Sequence, residues 1–185
     1  MALISITEII YIIVLTLAIG YIFSGYIKLR RPLTGLDIKP SFKEIKLAII
    51  IAAPGIILHE LAHKFTALAF GIGAKFFIWI PGIILGLVLR IFNSPFLILA
   101  PGYVSISGGT DLQLAITSFA GPFINLLLFV IAHLLLKKRN IKKRYLFTLY
   151  ITKMINLWLF IFNMLPVPPL DGYQVFSHLI NILKT

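Results

Sequence analysis

The sequence predicts an all-α polytopic membrane protein, with four or more transmembrane helices and a membrane-associated, β-hairpin-like segment between helices two and three. Three observations lead there. Hydrophobic residues make up 59% of the 185 and charged residues 12%, against about 25% charged in ordinary soluble domains. Four apolar segments, Leu3 to Ile27, Leu47 to Phe70, Leu112 to Leu136 and Tyr145 to Leu165, can each cross roughly 30 Å of hydrocarbon as a helix. Between the second and third, residues 71–109 stay apolar but are broken by Pro81, Gly82, Gly86, Arg90, Pro95, Pro101 and Gly102, and closed by Gly108 and Gly109.

The first segment is too long for a signal-peptide core and lacks both a basic start and a small-residue cleavage site, so it reads as a retained span. A basic loop follows, with Lys28, Arg30, Arg31, Lys39, Lys43 and Lys46; Lys137 to Arg144 forms a second. The formal charge of +11 could suggest nucleic acid. Basic clusters flanking apolar spans instead read as lipid-headgroup anchors and topology signals, so the expected partner is the bilayer and not nucleic acid. In the broken stretch, Phe76 to Ile80 is strand-like and Tyr103 to Ser107 alternates at period two. The alternative is a fifth, kinked helix from Phe77 to Phe92 with Arg90 snorkelling from its end. A small sheet at membrane depth would have to border protein or a hydrated cavity. Gly172 to Leu183 carries one apolar face over about three turns, too short to span. Length allows one integral membrane domain, residues 1–185, and any regulatory module is then a partner chain.

The second span contains His59-Glu60-Leu61-Ala62-His63. An ionisable residue inside a spanning helix costs roughly 2.5–3.5 kcal/mol on insertion scales and is usually kept for function. At 3.6 residues per turn His59 and His63 share a face, so both imidazoles can reach one zinc ion. Glu60 stands beside them, placed to take a proton from metal-activated water. The competing reading is a chance match on a solvated helix, which the apolar setting argues against. Lys64 can snorkel toward the Gly71 end.

With no cysteine, a metal site must use nitrogen and oxygen donors. Catalytic zinc usually takes three protein ligands, leaving one to find. Glu8, Asp37, Glu44 and Asp111 lie near span ends or in loops, where solvated or capping roles suffice. Asp171 follows Asn163-Met164-Leu165-Pro166-Val167-Pro168-Pro169-Leu170, whose prolines end helix four and force extended backbone that can carry a carboxylate to another helix. It fits equally as N-cap of the last helix. Asn163 could donate to a carbonyl or an oxyanion, or bond helix to helix; for Asn156 the helix-to-helix bond is preferred. Lys153 snorkels toward Arg144. Ser118, Gly121, Pro122 and Asn125 form a small, polar face on helix three, read as close packing with a kink, and Asn125 could also line the site. His133 and His178 have interfacial or packing roles.

These residues resemble the site-2 protease family of intramembrane zinc metalloproteases. The match runs in order over roughly residues 47–175: His59 to His63 in an early span, Gly121-Pro122 with Asn125 in the next, and Asn163 through Leu170-Asp171-Gly172 after the last. The resemblance implies His59, His63 and Asp171 as ligands of one zinc ion and Glu60 as general base. It implies Asn163 at substrate or transition state, the role Asn125 could share if it lines the site, and a transmembrane protein as substrate in a multi-pass protein of the cell membrane. It makes residues 47–175 the protease core and residues 1–46 an added span and loop. It also favours the strand-bearing reading of residues 76–107, whose edge at Tyr103 to Ser107 could hold an unwound substrate by β-addition. Two features depart from the family: the long apolar run Ile83 to Leu99, and the lack of the PDZ or CBS modules some members carry. In a four-span arrangement both basic loops fall on one side, which the positive-inside rule makes cytoplasmic, whereas the family implies the opposite. Other readings of the same polar groups are a membrane transporter of metal ions or solutes, and a homologue that binds substrates without cutting.

Overall fold

A computed structural model describes residues 3–27, 40–92, 94, 102–138 and 140–184. Most of the first basic loop, Lys28 through Lys39 with Asp37, and Pro95, Leu99 and Pro101 lie outside them, as does the Arg144 side chain. In chain order the elements are α1 (Ile6–Ser24), α2 (Phe42–Ala69), β1 (Gly73–Ile78), α3 (Ile80–Ile91), β2 (Gly102–Ser107), α4 (Asp111–Lys137), α5 (Lys143–Asn163) and α6 (Asp171–Lys184). Three-quarters of the described residues are helical, and β1 and β2 pair as a two-stranded antiparallel sheet.

Helices α1, α2, α4 and α5 are long and apolar enough to cross a membrane. Their surfaces say the same: only 6% of the apolar window of α5 is buried within the protein, and Tyr150, Trp158, Ile161 and Phe162 stand exposed on it. Apolar area on that scale needs a nonaqueous surround. The protein is a multi-pass membrane protein.

Contacts group the chain into two units, residues 2–54 with 76–103, and residues 55–75 with 104–185. In the first, Leu15, Ile19 and Ile22 of α1 and Ala48, Ile51 and Ala52 of α2 are fully buried. Glu8 closes a capping box with Ser5 at the start of α1, the capping role the sequence suggests. It is also buried, because its Oε1 accepts the Phe76 N–H of β1 at 2.8 Å. Glu44 caps likewise, its Oε2 accepting from the Ser41 N–H at 2.8 Å.

The broken stretch contains both of the expected alternatives, a strand pair and a helix. At 12 residues, α3 is about 18 Å long and too short to span. Arg90 does not snorkel. Gly82, Gly86 and Arg90 recur at i, i+4 and i+8 on the inward stripe of α3, which leaves Arg90 4% exposed, packed against Gly25.

In the second unit α4 packs on both α5 and α6. Thr110 opens α4 with a capping box to Gln113. Val104 and Ile106 of β2 pack against Ala67, Ile72 and Ala74, while Tyr103, Ser105 and Ser107 alternate outward. Lys64 also departs from expectation. It lies three residues before Ala67, which is fully buried, and is itself 1% exposed, so it belongs to the inward face of α2. Lys153 turns over the Tyr150 ring, 5.4 Å from its centroid.

Candidate metal centre

His59 and His63 stack one turn apart on α2, their rings edge to face at 4.7 Å, as the period of the helix demands. The turns after Asn163 deliver Asp171 to the same point. Leu165 N–H still bonds to Phe162 O, Leu170 N–H bonds to Val167 O, and α6 begins at Asp171 itself. Asp171 Oδ2 stands 3.0 Å from His59 Nε2 and 3.4 Å from His63 Nε2, and the two Nε2 atoms are 3.1 Å apart.

This donor set fits zinc. Ligand atoms about 2.0–2.1 Å from a tetrahedral ion stand roughly 3.4 Å from one another, and the three separations here fall at or just under that value. Among the described residues, His59, His63 and Asp171 are the group able to hold a metal ion. The donors are nitrogen and oxygen, as zinc accepts. Burial alone would raise the Asp171 carboxyl, but the imidazoles of His59 and His63 beside it outweigh that and hold the group well below the ordinary carboxylate range. The carboxylate is therefore ionised and ready to ligate.

Behind the pair, His63 Nδ1 meets the Thr117 carbonyl at 2.8 Å and His59 Nδ1 meets Asn125 Oδ1 at 2.6 Å. Thr117, Gly121 and Asn125 lie on one buried stripe of α4, and Gly121 presses against both imidazoles. Asn125 is fully buried and reaches on to Gly55 O and Asn156 Oδ1, each at 3.0 Å. The helix-to-helix bond expected of Asn156 is this one.

Glu60 shares the turn with His59, is partly exposed, and acts electrostatically on His59, His63 and Asp171. Among the described residues none hydrogen-bonds to its carboxylate. Asn163 is the last residue of α5, and its side chain likewise bonds to no described residue. Of the six residues the sequence singles out, the structure gathers His59, His63 and Asp171 at one point. It sets Glu60 beside them and Asn125 behind His59. His133 packs on Phe129 at 6.0 Å, and His178 Nδ1 pairs with Asp111 Oδ1 at 2.6 Å.

Sequence reasoning passed over Thr117 and Gly55. Both take part through backbone carbonyls, which leave no side-chain signature. Gly121 was legible as a close-packing residue, but its neighbours are the site histidines.

His59 and His63 on an apolar helix and Asp171 at the start of α6, with Glu60 beside them, form a group that could hold a metal ion. A family model for Peptidase family M50 matches residues 137–185, which take in α5 and α6. A protein of Methanocaldococcus jannaschii described as a "putative zinc metalloprotease" is 34% identical over 177 residues, covering 91% of this chain and 82% of that protein. No solved structure matches the chain. The chain belongs to peptidase family M50, the site-2 protease family. It is a zinc metalloprotease acting on peptide or protein substrates.

Proposed function

We propose that the protein is an intramembrane protease, hydrolysing peptide bonds within or near the transmembrane segments of membrane-protein substrates. On this reading residues 1–185 form one integral membrane domain, with the protease core at residues 47–175, in the cell membrane. The observation that carries it is the convergence of Asp171, from α6, with His59 and His63 on a helix apolar enough to span, with Glu60 beside them.

His59, His63 and Asp171 would hold one zinc ion. Zinc held there supplies Lewis-acid chemistry, making water more acidic and a carbonyl more electrophilic. Glu60 takes a proton from the attacking water as its oxygen bonds to the scissile carbonyl carbon. When the carbon–nitrogen bond breaks, Glu60 passes that proton to the departing amine nitrogen. Asn163, at the open end of α5, donates its amide to substrate or to the developing oxyanion. Asn125 acts from behind His59: fully buried and bonded to His59, Gly55 and Asn156, it has no group left for substrate, unlike the substrate role the sequence suggests. A transmembrane helix must unwind before attack, and the outer edge of β2 can take the freed strand as a third strand.

Replacing Glu60 by Gln tests the chemistry. The purified Glu60→Gln protein keeps about one zinc per chain and loses cleavage of a membrane-helix substrate by about 10²–10⁴-fold. Unchanged cleavage would remove Glu60 from the mechanism. Loss of zinc along with activity would make it a structural residue.

A further inference from the structure

The hydrogen bonds behind His59 have a direction. Asn156 Nδ2 donates to the Thr152 carbonyl at 2.8 Å. A backbone carbonyl only accepts, so Asn156 must turn its nitrogen that way and its oxygen toward Asn125. Asn125 therefore meets it with nitrogen, at 3.0 Å. Gly55 O makes the same demand from the other side, also at 3.0 Å. Both amide hydrogens of Asn125 are then spent, and its oxygen is left facing His59 Nδ1 at 2.6 Å. That oxygen cannot donate, so Nδ1 must carry the proton and Nε2 keeps the lone pair.

The alternative tautomer would close the site. With its proton on Nε2, a neutral His59 would donate to Asp171 Oδ2 at 3.0 Å or to His63 Nε2 at 3.1 Å, and would have no lone pair to offer a metal. Both asparagines are 0% exposed, so water cannot stand in for a missing partner. His63 receives its instruction directly from the Thr117 carbonyl, whereas His59 receives it through two side chains.

We propose that Asn125 and Asn156 are positioning residues forming an amide relay from the α5 backbone, which fixes the tautomer and ring orientation of His59 for metal binding. Gly55 is part of the relay twice over: its carbonyl accepts from Asn125, and a Cβ there would stand 2.7 Å from Asn156 Oδ1. The inference rests on the proposal that His59 is a zinc ligand.

The test is zinc affinity of the full chain in detergent, measured by competition with a chelator, alongside the visible spectrum of the cobalt(II)-loaded protein, which reports ligand geometry. Outer-shell partners of metal-bound histidines are worth about 10–100-fold in affinity. Asn125→Leu should fall near the top of that range and Asn156→Leu near tenfold, each with an altered cobalt spectrum. Gly55→Ala should weaken zinc in the same direction although alanine favours the helix; this variant keeps the test independent of any folding defect in Asn156→Leu. Adding Asn156→Leu to Asn125→Leu should cost less than about twofold more, because the relay is already cut. Wild-type affinity and spectrum in Asn156→Leu and Gly55→Ala would overturn the relay, as would full multiplication of the two losses in the double variant. His59→Ala tells the two ideas apart. If it loses zinc while the relay variants do not, the relay alone fails; if it binds zinc like the wild type, the ligand assignment fails and the relay falls with it.

Discussion

Gly121 of α4 is the wall on which His63 rests: a Cβ built there would overlap the His63 ring at Nε2 and lie 2.8 Å from His59 Cε1. Alanine at this position favours the helix over glycine by about 1 kcal/mol, yet it would push both imidazoles off their common point. Gly121→Ala should therefore fold and bind zinc at least about tenfold more weakly, a loss on the scale of removing an outer-shell partner. Chelator competition and thermal unfolding of the metal-free protein, measured on the same preparation, separate the two effects.

Asp171→Asn keeps the shape of the side chain and removes its charge. If the carboxylate is a ligand, the loss should exceed the roughly 100-fold upper value for outer-shell partners. Metal analysis after dialysis against a weak chelator would show wild type retaining zinc and the variant losing it. Retention by the variant would return Asp171 to the helix-capping role that its sequence position equally allows.

The start of α6, which carries Asp171, is held from its far side. His178 Nδ1 meets Asp111 Oδ1 at 2.6 Å and Asn181 Nδ2 meets the same oxygen at 3.4 Å, tying α6 to the first turn of α4. His178→Ala should speed amide hydrogen exchange across α6 and weaken zinc less than Asp171→Asn does. An unchanged exchange pattern would make the pair incidental to the site.

Substrate capture on β2 can be examined apart from the chemistry. Successive N–H groups of a strand point to opposite edges, so of Val104→Pro and Ser105→Pro one disturbs the pairing with β1 and the other removes a donor from the open edge. The edge-facing variant should keep its zinc and lose most cleavage of a membrane-helix substrate. Cleavage intact in both would remove β-addition from the account.

Much of this architecture can be read from the sequence, for reasons particular to each part. His59 and His63 are readable because helical spacing alone puts them on one face. The four spans are readable because crossing hydrocarbon demands long apolar runs. By spacing alone Asp171 divides between ligand and cap, since a proline-rich turn shows that the chain bends but not where it points; only the family resemblance assigns it as a ligand. Residues 71–109 were ambiguous because Phe, Ile and Trp suit strand and short helix alike, and the fold uses both. Lys64 and Arg90 were misread as snorkelling: that reading supposes lipid or water around a side chain, whereas both lie on stripes that face protein. Asn125 could be placed near the site, but its part in orienting His59 depends on Gly55 and Thr152 carbonyls that no residue pattern reveals.

The central claim, zinc-dependent cleavage inside the membrane, is tested most directly by reconstituting the purified protein in lipid bilayers with a single-span substrate and mapping the cut by mass spectrometry. Cleavage should fall within or at the edge of the spanning segment, stop on treatment with a zinc chelator, and return when zinc is restored. Cleavage confined to the soluble flanks of the substrate, or cleavage indifferent to the chelator, would contradict it.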